Sequence, residues 1–358
     1  MRTIAGGLVL INHELEAWQA WQRRQKGVVG ALRSLRNRKQ KTPTLRLSSW
    51  GDPKNGSVLL ALDGLEPSLR AALVDPVRKL HESGRHVCVL SSLPVEGLFP
   101  GEGHSRVLNL RSEISAQLPT NPCAVVSVGN YLPAGAAAYA VSQRLHVPYF
   151  VVQHGVLTPF APPLPRNTTL LAWSEEDLRF WAGGARGING QPVGSQLLWN
   201  ANVDSAAHST QRDGSSENAV TFLGQLHGAE LPRSTTRMSV ASLRSEHTVR
   251  YRPHPVESDI QSRLQHRIWA HEGVEIVGSS ELRSLPGPVL AHFSTGILES
   301  SAAGIASYAY CSAPPRWLEE LWDRYCMQQW GSSQATKAAV PTHEPAVAIA
   351  DRISTLSG

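Results

Sequence analysis

Residues 248–255 read TVRYRPHP, and residues 288–299 read PVLAHFSTGILE. Each is a short β-branched and apolar run that stops at proline, histidine or a small polar residue. Each is followed by a segment with helical spacing, over Ser258–His271 and Thr295–Ala303. Strand, turn and helix repeated in this way imply a parallel sheet with helices on both faces. Ligands of such sheets bind outside the carboxyl ends of the strands. Arg252, His254, Ser294, Thr295 and Gly296 therefore fall on one functional edge.

The same alternation runs outward in both directions. Downstream, Ile305–Tyr310 reads as a strand, and Trp317–Trp330 and Ala346–Leu356 as closing helices. Upstream, strands are expected over Ala219–Leu223, Val147–Gln153, Cys123–Val128, His86–Leu90 and Val58–Leu62. Pro67–Leu80 and Ala134–Leu145 read as helices between them, and Leu170–Trp173 as a strand before a helix capped by Ser174. The glycine-rich stretch 183–190 reads as a loop. Residues 201–217 are polar and read as a linker. The expected organisation is a basic N-terminal helical segment over 1–45 and a Rossmann-like domain over 46–200. After the linker come a second Rossmann-like domain over 218–335 and a C-terminal helix within 336–358.

Composition narrows the class. The chain has 358 residues, 41% of them hydrophobic and 18% charged, which suits two packed cores rather than disorder. The net charge of +5 favours anionic partners such as phosphates, nucleotides or acidic membranes. Nine of the 34 Lys and Arg residues lie between Arg23 and Arg46, eight of them within a stretch from Asn12 to Lys41 that reads as a helix carrying Trp18 and Trp21. Two readings fit it equally: a helix on an anionic membrane surface, or one packed on the core with a solvated basic face. The four cysteines form no CxxC pair, so free thiols are expected rather than a zinc site. No apolar run is long enough to span a bilayer and no signal-peptide layout is seen, which points to a cytoplasmic protein, with peripheral attachment to the inner membrane face through residues 12–46 as an option. The chain contains no GxxxxGK[ST], GxGxxG or DxD motif, so neither a resident cofactor nor a metal is expected.

The chemistry can be assigned by residue. The amide end of a helix starting at Thr295 offers a phosphate seat, with Ser294 and Gly296 beside it. Glu299 lies one turn on and could accept from a ribose diol. Arg252 and His254 could donate to a diphosphate and stabilise a leaving group. In the first half, Val151–Gly155 reads VVQHG and ends a buried strand. His154 there is the candidate general base, with Gly155 shaping the backbone for close approach. Asp63, at the end of the Val58–Leu62 strand, is the second candidate base. Asn130, after Gly129, could line the acceptor side. Taken singly each has a plainer role: Ser294 as a helix cap, Asp63 and Asn130 as turn residues, Glu299 as a solvated helix residue.

The order Gln153-His154-Gly155, Val193-Gly194-Ser195, Phe222–Gln225 (FLGQ), RPHP and Ser294–Ile305 (STGILESSAAGI) resembles the GT-B transferases of surface-polysaccharide assembly. It is similar to the CDP-glycerol glycerophosphotransferases, the bacterial polysialyltransferases and the capsule Kdo transferases. The resemblance implies two Rossmann-like domains with parallel sheets facing a central cleft. It implies a metal-independent glycosyltransferase that takes a nucleotide-activated sugar, of the CMP or CDP type by preference, to a glycan or lipid-linked acceptor. His154 matches the base, His254 the phosphate-contacting histidine, Ser294 and Thr295 the phosphate-binding pair, and Glu299 the ribose-holding acid. Gln153 stands where the glycerophosphotransferases carry Trp, and this favours sugar transfer over polyol-phosphate transfer. An enzyme resembling UDP-GlcNAc 2-epimerase shares the two-domain pattern and is a third reading. A basic nucleic-acid- or membrane-binding protein is the non-enzymatic one.

Overall fold

The computed structural model describes residues 8–25, 44–108, 114–183, 185, 187–207, 218–225, 230–254, 257–278 and 287–356. Contacts divide the chain into two compact units. The first comprises Val9–Leu197 with Pro341–Gly358, and the second Leu198–Val340.

The first unit holds eight strands: β1 (Arg46–Trp50), β2 (Ser57–Leu62), β3 (His86–Ser91), β4 (His104–Val107), β5 (Pro122–Ser127), β6 (Tyr149–Val152), β7 (Thr168–Ala172) and β8 (Asn189–Pro192). Their order is β4-β1-β3-β2-β5-β6-β7-β8. β3, β2, β5, β6, β7 and β8 pair in parallel in that order, while β1 runs antiparallel to both β3 and β4. Every residue of β2, β3 and β6 is buried, because helices cover both faces and leave no polar side for alternation to show. One core layer gathers Leu60, Leu73, Val77, Val89, Phe150 and Ile353. Ile353 comes from the Pro345–Leu356 helix, so the C-terminal helix packs into the first unit.

The second unit has five parallel strands: β9 (Ala219–Leu223), β10 (Thr248–Arg252), β11 (Glu275–Ile276), β12 (Val289–Ala291) and β13 (Ser307–Ala309). Their order is β11-β10-β9-β12-β13. The chain builds outward from β9 through β10 to β11, then returns to the other side with β12. The strand order thus reverses between β9 and β12, where α/β sheets open a crevice at their carboxyl edge. In the first unit the same reversal lies between β2 and β5.

Several local expectations change. Pro67–Leu80 is not a uniform α-helix: a π turn over Arg70–Val74 separates Pro67–Leu69 from Asp75–Glu82. Pro76 has no N–H to offer in the ordinary ladder, and the wider turn accommodates it. The stretch read as a loop over 183–190 ends in β8, an edge strand whose Pro192 and polar residues gave no apolar signal. Residues 201–207 of the presumed linker continue a helix, Gln196–Ala207; residues 208–217 lie outside the described residues. The helix expected over Trp317–Trp330 stops at Arg324. Beyond it Cys326 takes a positive φ of 51°, and Gln328 and Trp330 bond to Ala309 instead.

Of the N-terminal helix, Leu15–Gln25 is described; residues 26–43, with most of the basic run, lie outside the described residues. Trp18 donates its indole N–H to Phe160 O at 2.8 Å, and Trp21 stacks on the Phe160 ring at 5.1 Å. Both tryptophans are therefore packed on the first unit, as the core-packed reading of this helix requires. No helix among the described residues is long and apolar enough to cross a membrane. All four cysteines are free thiols.

Candidate functional site

In the second unit, three neighbouring strand ends carry the predicted residues. β10 ends in Arg252 and leads to His254, β9 leads to Gly224-Gln225, and β12 leads to Ser294. β9 lies between the other two, so the RPHP and STG segments flank it rather than adjoin. Gln225, which the sequence reading passed over as a site residue, ties them together. Its Oε1 accepts from Phe293 N–H at 3.0 Å, and Gly224 N–H donates to Arg252 O at 2.7 Å.

Ser294 caps the Thr295–Ala302 helix, its hydroxyl oxygen accepting from Gly296 N–H at 3.1 Å. The cap role of Ser294 is thus present, and it leaves the hydroxyl proton to donate elsewhere. Ser294, Thr295 and Glu299 are half-buried and Gly296 is buried. Burial presses the Arg252 guanidinium toward lower pKa, and the Glu299 carboxylate opposes that shift. A cation from β10 and an anion from the helix after β12 are therefore electrostatically coupled at one sheet edge. His254 is half-buried, with its backbone N–H held by Glu257 Oε1 at 3.2 Å.

In the first unit, His154 follows β6 at the corresponding edge. Its neighbour Gln153 is buried, and its side-chain and main-chain bonds fix the turn. Gln153 Nε2 donates to Asp177 Oδ2 at 2.9 Å and to Gly155 O at 3.0 Å. Its Oε1 accepts from Trp173 N–H at 2.9 Å, and its carbonyl from the Trp173 indole at 3.0 Å. A buried Gln between two valines and a histidine was the available signal for this role. The protein around the His154 ring disfavours imidazolium and pushes its pKa down to about 4, with Glu66 pulling the other way. The ring is thus neutral near pH 7, the form that can accept a proton.

That shift has a measurable consequence. Below pH 6.5 the unfolded chain protonates this histidine while the folded chain resists down to about 4. Stability is therefore lost as pH falls across that window, by roughly 2 kcal/mol after allowance for partial exposure. Denaturant midpoints at pH 7 and pH 4.5 should show that loss in the wild type and a smaller one in His154→Gln. Equal slopes would place the shift elsewhere.

Asp63 sits at the end of β2 with both carboxylate oxygens engaged. Oδ1 accepts from Ala134 N–H at 2.8 Å and Oδ2 from Gly135 N–H at 3.0 Å. Those are free amides in the first turn of the Pro133–Leu145 helix, whose own N-cap residue, Leu132, provides no side-chain cap. Burial raises the Asp63 pKa, and these two amides offset only part of that rise. The residue predicted as a second base is placed as a helix cap. Asn130 Oδ1 is enclosed and has no hydrogen-bond partner among the described residues.

No protein-family model matches this chain, and no curated protein matches it in sequence. Among solved structures, a UDP-GlcNAc 2-epimerase from Methanocaldococcus jannaschii in complex with UDP-GlcNAc and UDP is similar to it, with a TM-score of 0.51 and 10% identity over 84% of this chain and 99% of that one. A UDP-N-acetylglucosamine 2-epimerase from Rickettsia bellii reaches 0.46 at 11% identity, over 84% and 95% of the two chains. A glycosyltransferase from Rickettsia africae reaches 0.45 at 12% identity, over 84% and 88%. The first of these carries the fold comparison: the chain has the GT-B-like architecture of two α/β units, each built on a parallel sheet.

Proposed function

We propose that this chain is a GT-B enzyme that takes a nucleotide-activated sugar on its second unit and transfers the sugar to a cell-envelope or capsular glycan. The observation that carries the reading is the meeting of Arg252, His254, Gln225 and the Ser294-capped helix start at three neighbouring strand ends, at the reversal of strand order. A cation, an imidazole and the positive dipole end of a helix suit a diphosphate, and Glu299 suits a ribose diol. In the proposed reaction His154 takes the proton of an acceptor hydroxyl. The acceptor oxygen forms its bond to the anomeric carbon as the sugar–phosphate C–O bond breaks. The electron pair leaves on the nucleotide phosphate, whose charge Arg252, His254 and the helix amides stabilise. Gly155 and Asn130 are assigned to the acceptor side. No metal is assigned a part, and the cytidine-nucleotide donors of the resembling families remain the preferred class.

A second reading, a nucleotide-sugar 2-epimerase, is favoured by the likeness to the M. jannaschii enzyme bound to UDP-GlcNAc and UDP. Both readings share the nucleotide site and differ in product. A thermal-shift screen against CMP, CDP, UDP, GDP and dTDP should give a stabilising hit. His254→Ala should weaken that nucleotide about tenfold through loss of one phosphate contact. A chain that none of the five nucleotides stabilises would end the proposal. Product analysis then separates the readings: a new glycosidic bond for transfer, an altered free sugar nucleotide for epimerisation.

A further inference from the structure

Glu257 keeps only 1% of its side chain exposed. A buried carboxylate is costly unless donors surround it. Donors from three segments do so here. The Tyr251 hydroxyl, from β10, lies 3.1 and 3.0 Å from Oε1 and Oε2. His266 Nε2, from the Ile260–His271 helix, lies 3.0 Å from Oε2. The backbone N–H of His254 lies 3.2 Å from Oε1. Burial and the neighbouring carboxylate hold the Tyr251 phenol firmly protonated, so it remains a donor.

Two features connect this cluster to the nucleotide edge. Glu257 N–H donates to His254 O at 2.8 Å while the Glu257 carboxylate accepts His254 N–H. The pair is closed reciprocally, as in a helix capping box, and His254 is fixed at both of its main-chain polar groups. The other feature is Gly224. A Cβ there would lie 2.7 Å from the Tyr251 hydroxyl and 2.9 Å from His254 N, and would collide with Glu257 Oε1. Glycine at the end of β9 lets the carboxylate and the His254 main chain sit against that strand. The next residue, Gln225, then holds the end of β12.

We propose that Glu257 is a positioning residue for the nucleotide: packed on Gly224, it fixes His254 beside the end of β9. This rests on the nucleotide site proposed above. Glu257 acts through His254 and is not assigned a contact with the ligand. Glutamine has the same shape but replaces one acceptor oxygen with a donor, which cannot satisfy the Tyr251, His254 and His266 protons together.

The test is a double-mutant cycle on affinity for whichever of CMP, CDP, UDP, GDP and dTDP binds the wild type, read by calorimetry with the full chain. Glu257→Gln should weaken the nucleotide that binds the wild type about tenfold, and Glu257→Asp, too short to reach both sides, should not restore it. In a His254→Ala background, Glu257→Gln should add no further loss, because the effect passes through His254. A role in stability alone would lower the melting temperature and leave affinity unchanged, or would give losses that multiply; either result overturns the proposal. Should Glu257→Gln fail to fold, Tyr251→Phe removes one donor and decides by the same cycle. A wild type that binds none of CMP, CDP, UDP, GDP and dTDP would instead remove the proposed function, and this inference with it.

Discussion

Replacing His154 by alanine should cut turnover by roughly 10²–10⁴-fold, the usual contribution of a positioned general base, while nucleotide affinity stays at the wild-type value. Two features of the structure separate these effects. His154 belongs to the first unit, whereas Arg252, His254, Ser294 and Glu299 all belong to the second. The turn that carries His154 is held by Gln153, through Asp177, Gly155 and Trp173, and not by the imidazole itself. Alanine therefore removes the ring and leaves the turn in place. The neutral ring, with its pKa near 4, also fixes the expected pH profile. A base of that pKa is unprotonated from pH 5 upward, so its own titration should not limit the rate between pH 6 and 8. Single-turnover rates of wild type and variant, with nucleotide affinity measured in parallel, check the assignment. Near-normal turnover in His154→Ala would remove this residue from the chemistry. Asp63 would not replace it readily, since both of its oxygens already serve the Pro133–Leu145 helix amides.

The parts of the fold legible in the sequence were those buried on both faces. β2, β3 and β6 are unbroken apolar runs bounded by glycine, proline or histidine, and their strand ends locate Asp63 and His154 directly. β9 was found at its observed limits for the same reason; β10, whose residues alternate between buried and more exposed, was found at its limits from its β-branched and aromatic residues and the stop at Pro253. What stayed hidden lacked that contrast. The Arg233–Arg244 helix buries Thr235, Thr236 and Ser239 beside Val240 and Leu243, so its inner face does not read as apolar. β4 and β8 are short strands at the sheet edges, where one neighbour and partial exposure suffice without an apolar pattern, and β1, next to the edge, carries Ser48 and Ser49 in place of an apolar run. Site residues divided along a similar line. Ser294, Arg252 and His254 could be placed because each follows a strand. The pairing of Gln225 with Phe293, and of Glu257 with His254, depends on contacts between segments far apart in sequence or on burial of a charge. Neither leaves a periodic trace.

Trp322→Ala should destabilise the second unit by about 3–5 kcal/mol, the range for truncating a fully buried tryptophan. Trp322 is 2% exposed and lies on the buried face of the Arg316–Arg324 helix, beside Trp317, Leu318 and Leu321. Its indole N–H donates to His292 O at 2.6 Å. That carbonyl belongs to the residue after β12, two positions before Ser294. The His292 ring is itself bracketed by Tyr310 O at 2.8 Å and Thr236 Oγ1 at 3.3 Å. Alanine would therefore open a cavity and also leave a buried acceptor unpaired at the base of the proposed phosphate seat. Trp322→Phe separates the two costs: it keeps most of the volume, loses the hydrogen bond, and should cost about 1 kcal/mol. Denaturant titration of both variants, followed on the transition of the second unit, gives the stability terms. Nucleotide titration of Trp322→Phe then asks whether the end of β12 has moved. If the tryptophan only fills space, Trp322→Phe binds as the wild type does. If its N–H holds His292 in register beside Ser294, affinity falls while the fold survives, and the hydrogen bond rather than the packing links this helix to the site.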